Sequence, residues 1–142
     1  MKNFFLIVVI TLSFALTASA QKLNESQVPA AAKAAFQKKY PGLPGKWDKE
    51  DVNYEVNFKQ NGKSMSAVID KNGTIIETET DISVNDLPAV VRDYLKKNYP
   101  GAKVKEAAKV LKENGDVNYE AEVNNKDVIF DATGKFIKET KD

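Results

Sequence analysis

Histidine and cysteine, the side chains that carry most nucleophilic, acid–base and zinc chemistry near neutral pH, are both missing from this 142-residue chain. Their absence removes Ser-His-Asp and Cys-His arrangements and the common zinc ligand sets. Carboxylate, hydroxyl and amine chemistry remains. Glu55 and Glu120 close two copies of Val-Asn-Tyr-Glu, at 52–55 and 117–120, and two facing carboxylates can divide acid and base roles. A Glu that alternates with apolar residues along a strand is more simply a solvated position, and that is the reading adopted. Ser64 and Ser66 follow Lys63 on a plain alternating run, without the sharp turn that presents a nucleophile. Asp70-Lys71-Asn72-Gly73 shares part of its spacing with a calcium loop but lacks the further acidic position and the distal Glu. Its counterpart, Asp131-Ala132-Thr133-Gly134, lacks the Asn as well. A hairpin turn with glycine in the left-handed region explains both. The seven glycines are scattered at turns, so no phosphate-cradling loop is present. The sequence therefore predicts no catalytic residue, no metal and no cofactor.

The elements that position these residues come in pairs. Val28 to Gly42, VPAAAKAAFQKKYPG, is matched by Leu87 to Gly101, LPAVVRDYLKKNYPG, and the Val-Asn-Tyr-Glu and Asp-x-x-Gly segments follow each copy in the same order. A helix-plus-strands unit used twice is the simplest account. The predicted boundaries are 1–20 for a leader, 21–82 for the first unit and 83–142 for the second. A unit of roughly 55 residues buries too small a fraction of its surface to be comfortable alone. The joint from Asp81 to Asn85 is short and contains Ile82 and Val84, which predicts two halves packed as one rigid unit.

The leader reads as an export signal. Lys2 supplies a positive start, Phe4 to Leu16 an apolar run, and Ala18-Ser19-Ala20 a small-residue cleavage site before Gln21. The run is shorter than the roughly 20 apolar residues of a membrane span, and with no cysteine there is no lipid attachment point of the bacterial lipoprotein kind. Cleavage without a stable membrane anchor is expected. Losing residues 1–20 removes only Lys2, leaving twenty basic against twenty acidic residues. Interleaved charge of zero net sign argues against nucleic acid, whose phosphates reward a concentrated basic face.

Val28, Ala31, Ala32, Ala35, Phe36 and Tyr40 form one helical stripe, as do Leu87, Val90, Val91, Tyr94, Leu95 and Tyr99. Ser26 and Asn85 are the predicted caps, and Tyr-Pro-Gly stops each helix. Val52, Tyr54, Val56 and Phe58 alternate with polar residues, as do Val117, Tyr119, Ala121 and Val123, the pattern of an antiparallel sheet covered on one face only. Asn61-Gly62 and Asn114-Gly115 are hairpin signals. Closing strands are placed at Thr74 to Thr80 and Lys135 to Thr140, first strands at Lys46 to Lys49 and Lys103 to Glu113, with Trp47 in the core and a bulge near Ala107-Ala108. The predicted fold is α+β: a tandem repeat of a helix plus a four-stranded antiparallel sheet, each helix on one sheet face, with the two sheets either separate or joined edge to edge into one. By alternation Val68 and Ile129 fall on the open face, where exposed apolar side chains among polar ones mark contact points.

The paired Val/Leu-Pro to Tyr-Pro-Gly helices, followed by the Asp70 to Gly73 and Asp131 to Gly134 turns, give the mature chain a pattern that resembles the PepSY-like proteins. These are also described as β-lactamase-inhibitor-like, secreted or periplasmic proteins of Gram-negative bacteria. Members often carry an aromatic residue two positions after the turn glycine; Phe136 conforms and Ile75 departs. The resemblance implies a tandem fold whose concave sheet surface binds another protein, as PepSY-type domains are suggested to restrain peptidases and β-lactamase inhibitory proteins block an enzyme. No inhibitory residue carries over, because the matching motifs are helix ends and turns. The resulting expectation is a non-enzymatic periplasmic or secreted module that binds a protein or peptide near Glu55, Val68, Glu120 and Ile129. The alternative is a small-ligand or envelope-stress sensor with a pocket between the two lobes.

Overall fold

A computed structural model describes residues 21–141. The predicted leader, residues 1–20, lies outside the described residues. The strands run β1 (Gln21–Leu23), β2 (Lys46–Glu50), β3 (Asn53–Gln60), β4 (Lys63–Ile69), β5 (Ile75–Asp81), β6 (Val104–Lys112), β7 (Val117–Val123), β8 (Lys126–Asp131) and β9 (Phe136–Lys141), with α1 (Ala30–Lys39) after β1 and α2 (Ala89–Asn98) after β5. All nine strands form one antiparallel sheet in sequence order. Of the two arrangements open to the predicted four-stranded sheets, the joined one is observed. Pairing of β5 with β6, from Glu77 opposite Lys112 to Asp81 opposite Ala108, carries it across the joint, and β1 adds an edge strand beside β2. Joining satisfies two strand edges that separate sheets would have left open.

Both helices cover the same face. Phe58, Met65, Thr80, Lys109, Tyr119, Phe130 and Phe136 occupy one cross-strand row. Residues directly opposite in register share a face, and Phe58 lies in the core beneath α1 while Phe130 lies in the core beneath α2. The first core gathers Phe36, Tyr40, Trp47 and Phe58 with ring centroids 4.5–5.8 Å apart. The second stacks Tyr94 on Phe136 at 5.2 Å and sets Phe130 edge-on to Tyr94. Tyr54 and Tyr119 are partly buried against these cores, on the side that alternation demands.

The helix starts differ from expectation. Ser26 and Asn85 lie within short 3-10 turns capped by Asn24 and Ser83, and the residues preceding α1 and α2 are Pro29 and Pro88. Proline supplies the extended-to-helix transition without a donor to satisfy, and the preceding tight turn takes the polar cap instead. The stripe on α2 is narrower than its sequence suggests, since Val90 is 58% exposed.

Asn61 (φ 52°) and Gly62 (φ 79°) make the predicted two-residue hairpin. Asn114-Gly115 instead belongs to a longer connection in which the Asp116 amide donates to Asn114 Oδ1 at 2.9 Å. The Asp-x-x-Gly turns are internally bonded. Asp70 Oδ1 accepts from the amides of Asn72 and Thr74, both at 2.8 Å, and Asp131 Oδ1 from those of Thr133 and Lys135 at 2.8 and 3.0 Å. The amide hydrogen bonds hold the Asp70 carboxyl below the usual carboxylate range, and at Asp131 the Thr133 hydroxyl, donating to Oδ1 at 2.7 Å, does most to the same end, followed by the amides. Gly73 (φ +89°) brings each turn's logic into view: a Cβ there would stand 2.7 Å from the Ala31 carbonyl oxygen, so the turn presses on the first turn of α1. The register also slips between Val68 and Ile69 against β5, and between Ile129 and Phe130 against β9. Ile76 and Ile137 are the extra residues of these two bulges. The predicted irregularity in β6 lies between Val104 and Ala107.

Candidate functional site

The face left uncovered by the helices is built from residues of the other parity. Asn57, Ser66, Glu79, Val110, Asn118 and Asp131 form one row across it, and Asp81, Ala108, Glu120, Ile129 and Lys138 another. Glu55, Val68, Glu77 and Lys112 form a third. The alternation of Glu77, Glu79 and Asp81 along β5 sends three carboxylates to this face, and β7 and β8 add Glu120, Glu122 and Asp127. Ala108 stands between Asp81 and Glu120 in register. Its small side chain, with Ala107 and Glu106, forms part of a depression of about 50 Å³ rimmed by Glu79, Asp81, Glu120, Glu122 and Asp127.

Crowding of like charge has an electrostatic consequence. Burial, then the nearby charges of Glu120, Asp81, Glu55 and Glu77, push the Glu79 carboxyl up to about 7. Glu120 is raised as well, by burial and then by Asp127 and Glu77, with Lys112 and Lys138 opposing. Glu50 at the rim is raised by burial and by Glu55, Glu77 and Asp51. Lys105 offsets part of this charge through a 2.9 Å ion pair to Glu122. A carboxyl titrating near neutrality suits an acid–base catalyst, but a depression of 50 Å³ on an open sheet holds little more than water and cannot enclose a substrate. Among the described residues no group of three or more acidic side chains has metal-binding geometry.

The profile of the family described as "Putative beta-lactamase-inhibitor-like, PepSY-like" matches residues 15–77 and 52–138. The chain belongs to this family. Among curated proteins none matches. Solved structures share the fold: a "putative periplasmic" protein from Bacteroides eggerthii (TM-score 0.72, 16% identity, 80% of this chain and 88% of that one), a DUF2874 family protein from Bacteroides uniformis (0.71, 23%, 80% and 88%) and a BLIP-like protein from Bacteroides fragilis (0.64, 24%, 79% and 85%). Among the described residues of this PepSY-like chain, no helix is long and apolar enough to cross a membrane.

Of the four residues singled out in the sequence, Glu55 and Glu120 stand half-buried on the open face, and Glu120 belongs to the acidic depression. Val68 and Ile129 share that face but are only 8% and 9% exposed, so they are not the exposed contact points expected. Each sits on an interior strand, Val68 between Glu55 and Glu77 and Ile129 between Glu120 and Lys138. Long charged side chains lay their methylene stems over a short apolar neighbour. Glu77, Glu79, Asp81, Glu122 and Asp127 were not singled out from the sequence. The signal was present in part: Glu-Thr-Glu-Thr-Asp at 77–81 alternates with period two, which places its acids on one face.

Proposed function

We propose that this chain is a non-enzymatic periplasmic binding module whose open sheet face, around Glu55, Val68, Glu120 and Ile129, engages a protein or peptide presenting basic side chains. The observation that carries the reading is the crowd of carboxylates on that face, raised enough that Glu79 is pushed up to about 7. Ionising such a cluster costs free energy that an approaching Lys or Arg would return, because opposite charge favours the ionised form. The two tandem units, 21–82 and 83–142, act in this reading as one platform. Val68 and Ile129 serve as the apolar floor that a partner reaches after displacing the charged side chains above. The export-type leader and the "putative periplasmic" description of the Bacteroides eggerthii structure support the location.

The test is titration of a lysine-rich octapeptide into the wild type and into the double variant Glu79→Gln, Glu120→Gln, which keeps shape and removes charge. The reading expects binding at about pH 8 that weakens roughly tenfold or more in the variant and falls with added salt. Equal affinity of both proteins for the peptide would overturn it. Replacing Val68 or Ile129 with Lys is avoided, because burying an unpaired ammonium would disturb folding itself.

A further inference from the structure

On the opposite side of the sheet, beneath the C-terminal half of α2, lies a cleft of about 310 Å³, within the size range of small-molecule sites. Its walls are Val84, Leu95, Ala102, Val104 and Val123, and Arg92 and Lys96 stand at its side. Leu95 and Val123 are almost fully buried. Arg92 Nε is buried with no hydrogen-bond partner, and an unsatisfied buried donor costs free energy until something accepts from it.

The corresponding place in the first half of the chain is narrower. Lys33 stands seven residues before Tyr40 as Arg92 does before Tyr99. Lys33 Nζ donates to the main-chain carbonyl of Glu25 at 3.1 Å, whereas nothing accepts from Arg92 Nε. Phe36 and Phe58, whose rings meet at 5.1 Å under α1, are replaced by Leu95 and Val123. The space lined there by Lys33, Phe36 and Trp47 measures about 180 Å³. The second half has therefore exchanged aromatic rings for smaller aliphatic side chains, and a satisfied cation for one with a free donor. Tyr99 is not available as a further ligand group, since its hydroxyl donates to Glu139 at 2.6 Å.

We infer that the α2 cleft binds a small amphiphile with one carboxylate and an apolar tail, the carboxylate accepting from Arg92 with Lys96 nearby and the tail lying against Leu95, Ala102, Val104 and Val123. The inference is independent of the open-face reading, being on the other side of the sheet and opposite in charge. A guanidinium in apolar surroundings is the standard partner of a carboxylate.

Octanoate is the probe, followed by amide chemical shifts across the whole chain, with 1-octanol as the uncharged comparison and inorganic phosphate as the bare anion. The expected result is saturable shifts centred on Val104 and Val123 with octanoate, and affinities at least about tenfold weaker for 1-octanol and for the Arg92→Gln variant, as loss of a charged hydrogen bond predicts. Val123→Phe, which restores the ring present at Phe58, should abolish octanoate binding while leaving the far-UV circular dichroism unchanged. Octanoate that leaves the cleft resonances unmoved, or that binds Arg92→Gln as tightly as wild type, would overturn the inference. So would phosphate binding as tightly as octanoate. If Val123→Phe perturbs the fold, Arg92→Gln, at a half-buried position of α2, decides alone.

Discussion

Replacing Glu79 with Gln should stabilise the protein in mildly alkaline solution, which is unusual for loss of a charge from a protein surface. The unfolded chain gives up the Glu79 proton near the ordinary 4.5, whereas the folded chain holds it to about 7. Between those values the folded state binds more protons than the unfolded one, so stability falls as pH rises through this window. Each pH unit of separation is worth about 1.4 kcal/mol. The full interval sets a ceiling of about 3 kcal/mol; Glu79 keeps some contact with solvent, so about 1–2 kcal/mol is the working figure. Gln has the same shape and no proton to lose. Urea melts of wild type at about pH 5 and about pH 8 should differ by at least that amount, with the acid condition the more stable, and Glu79→Gln should lose that part of the slope, keeping only what the raised Glu120 and Glu50 carboxyls contribute. Glu120→Gln provides an internal check, because Glu120 is the largest charge acting on Glu79. Removing it should lower the midpoint of the Glu79 side-chain carboxyl resonance. A wild-type protein equally stable at both pH values, or a Glu79→Gln variant with the wild-type slope, would refute the account of the acidic face.

Two other perturbations test the framework that holds that face in place. Gly73→Ala puts a methyl group 2.7 Å from the Ala31 carbonyl oxygen at a φ of +89°, so it should cost about 2 kcal/mol or more in urea unfolding, whereas Gly115→Ala, at +88° with nothing within 4 Å, should cost only about 1 kcal/mol of backbone strain. Phe36→Ala removes a ring that meets Tyr40, Trp47 and Phe58 and should cost about 3–5 kcal/mol. In the wild type, fluorescence of Trp47, the chain's single tryptophan, should unfold together with the far-UV circular dichroism of the whole sheet. Separate midpoints would contradict cooperative coupling through β5 and β6.

Local rules carried the sequence reading a long way and failed where the deciding neighbour lay far off in the chain. Period-two alternation placed Tyr54, Val56, Phe58 and their counterparts on the helix side, and Asn61-Gly62 formed its hairpin because both residues accept positive φ without long-range help. Asn124 and Asn125, at φ 54° and 59°, make another such turn that an Asn-Gly search passes over. Ser26 and Asn85 do not cap the helices because they lie inside 3-10 turns whose own caps are Asn24 and Ser83, so the polar residue nearest each helix start has a different role from the one its spacing suggests. The extent of the sheet was not legible at all: β5 and β6 are separated by α2, and nothing in either strand names its partner. The burial of Val68 and Ile129 belongs to the same class, since it depends on the residues paired beside them rather than on their own alternation.

That one illegible pairing is also what creates the acidic face. Glu77, Glu79 and Asp81 arrive on β5 from the first half, while Glu106, Glu120, Glu122 and Asp127 arrive on β6, β7 and β8 from the second. Either group alone would sit at the margin of a smaller sheet with water on its flank, where a carboxylate keeps its ordinary affinity for protons. Pairing Asp81 with Ala108 moves the flank into the interior of a nine-stranded sheet, and the charges of one half then bear on those of the other, as Glu120 does on Glu79. The candidate site is therefore a property of the joined sheet. A change that loosened β5 from β6 without unfolding either core should return Glu79 toward an ordinary carboxylate before any loss of helix is seen.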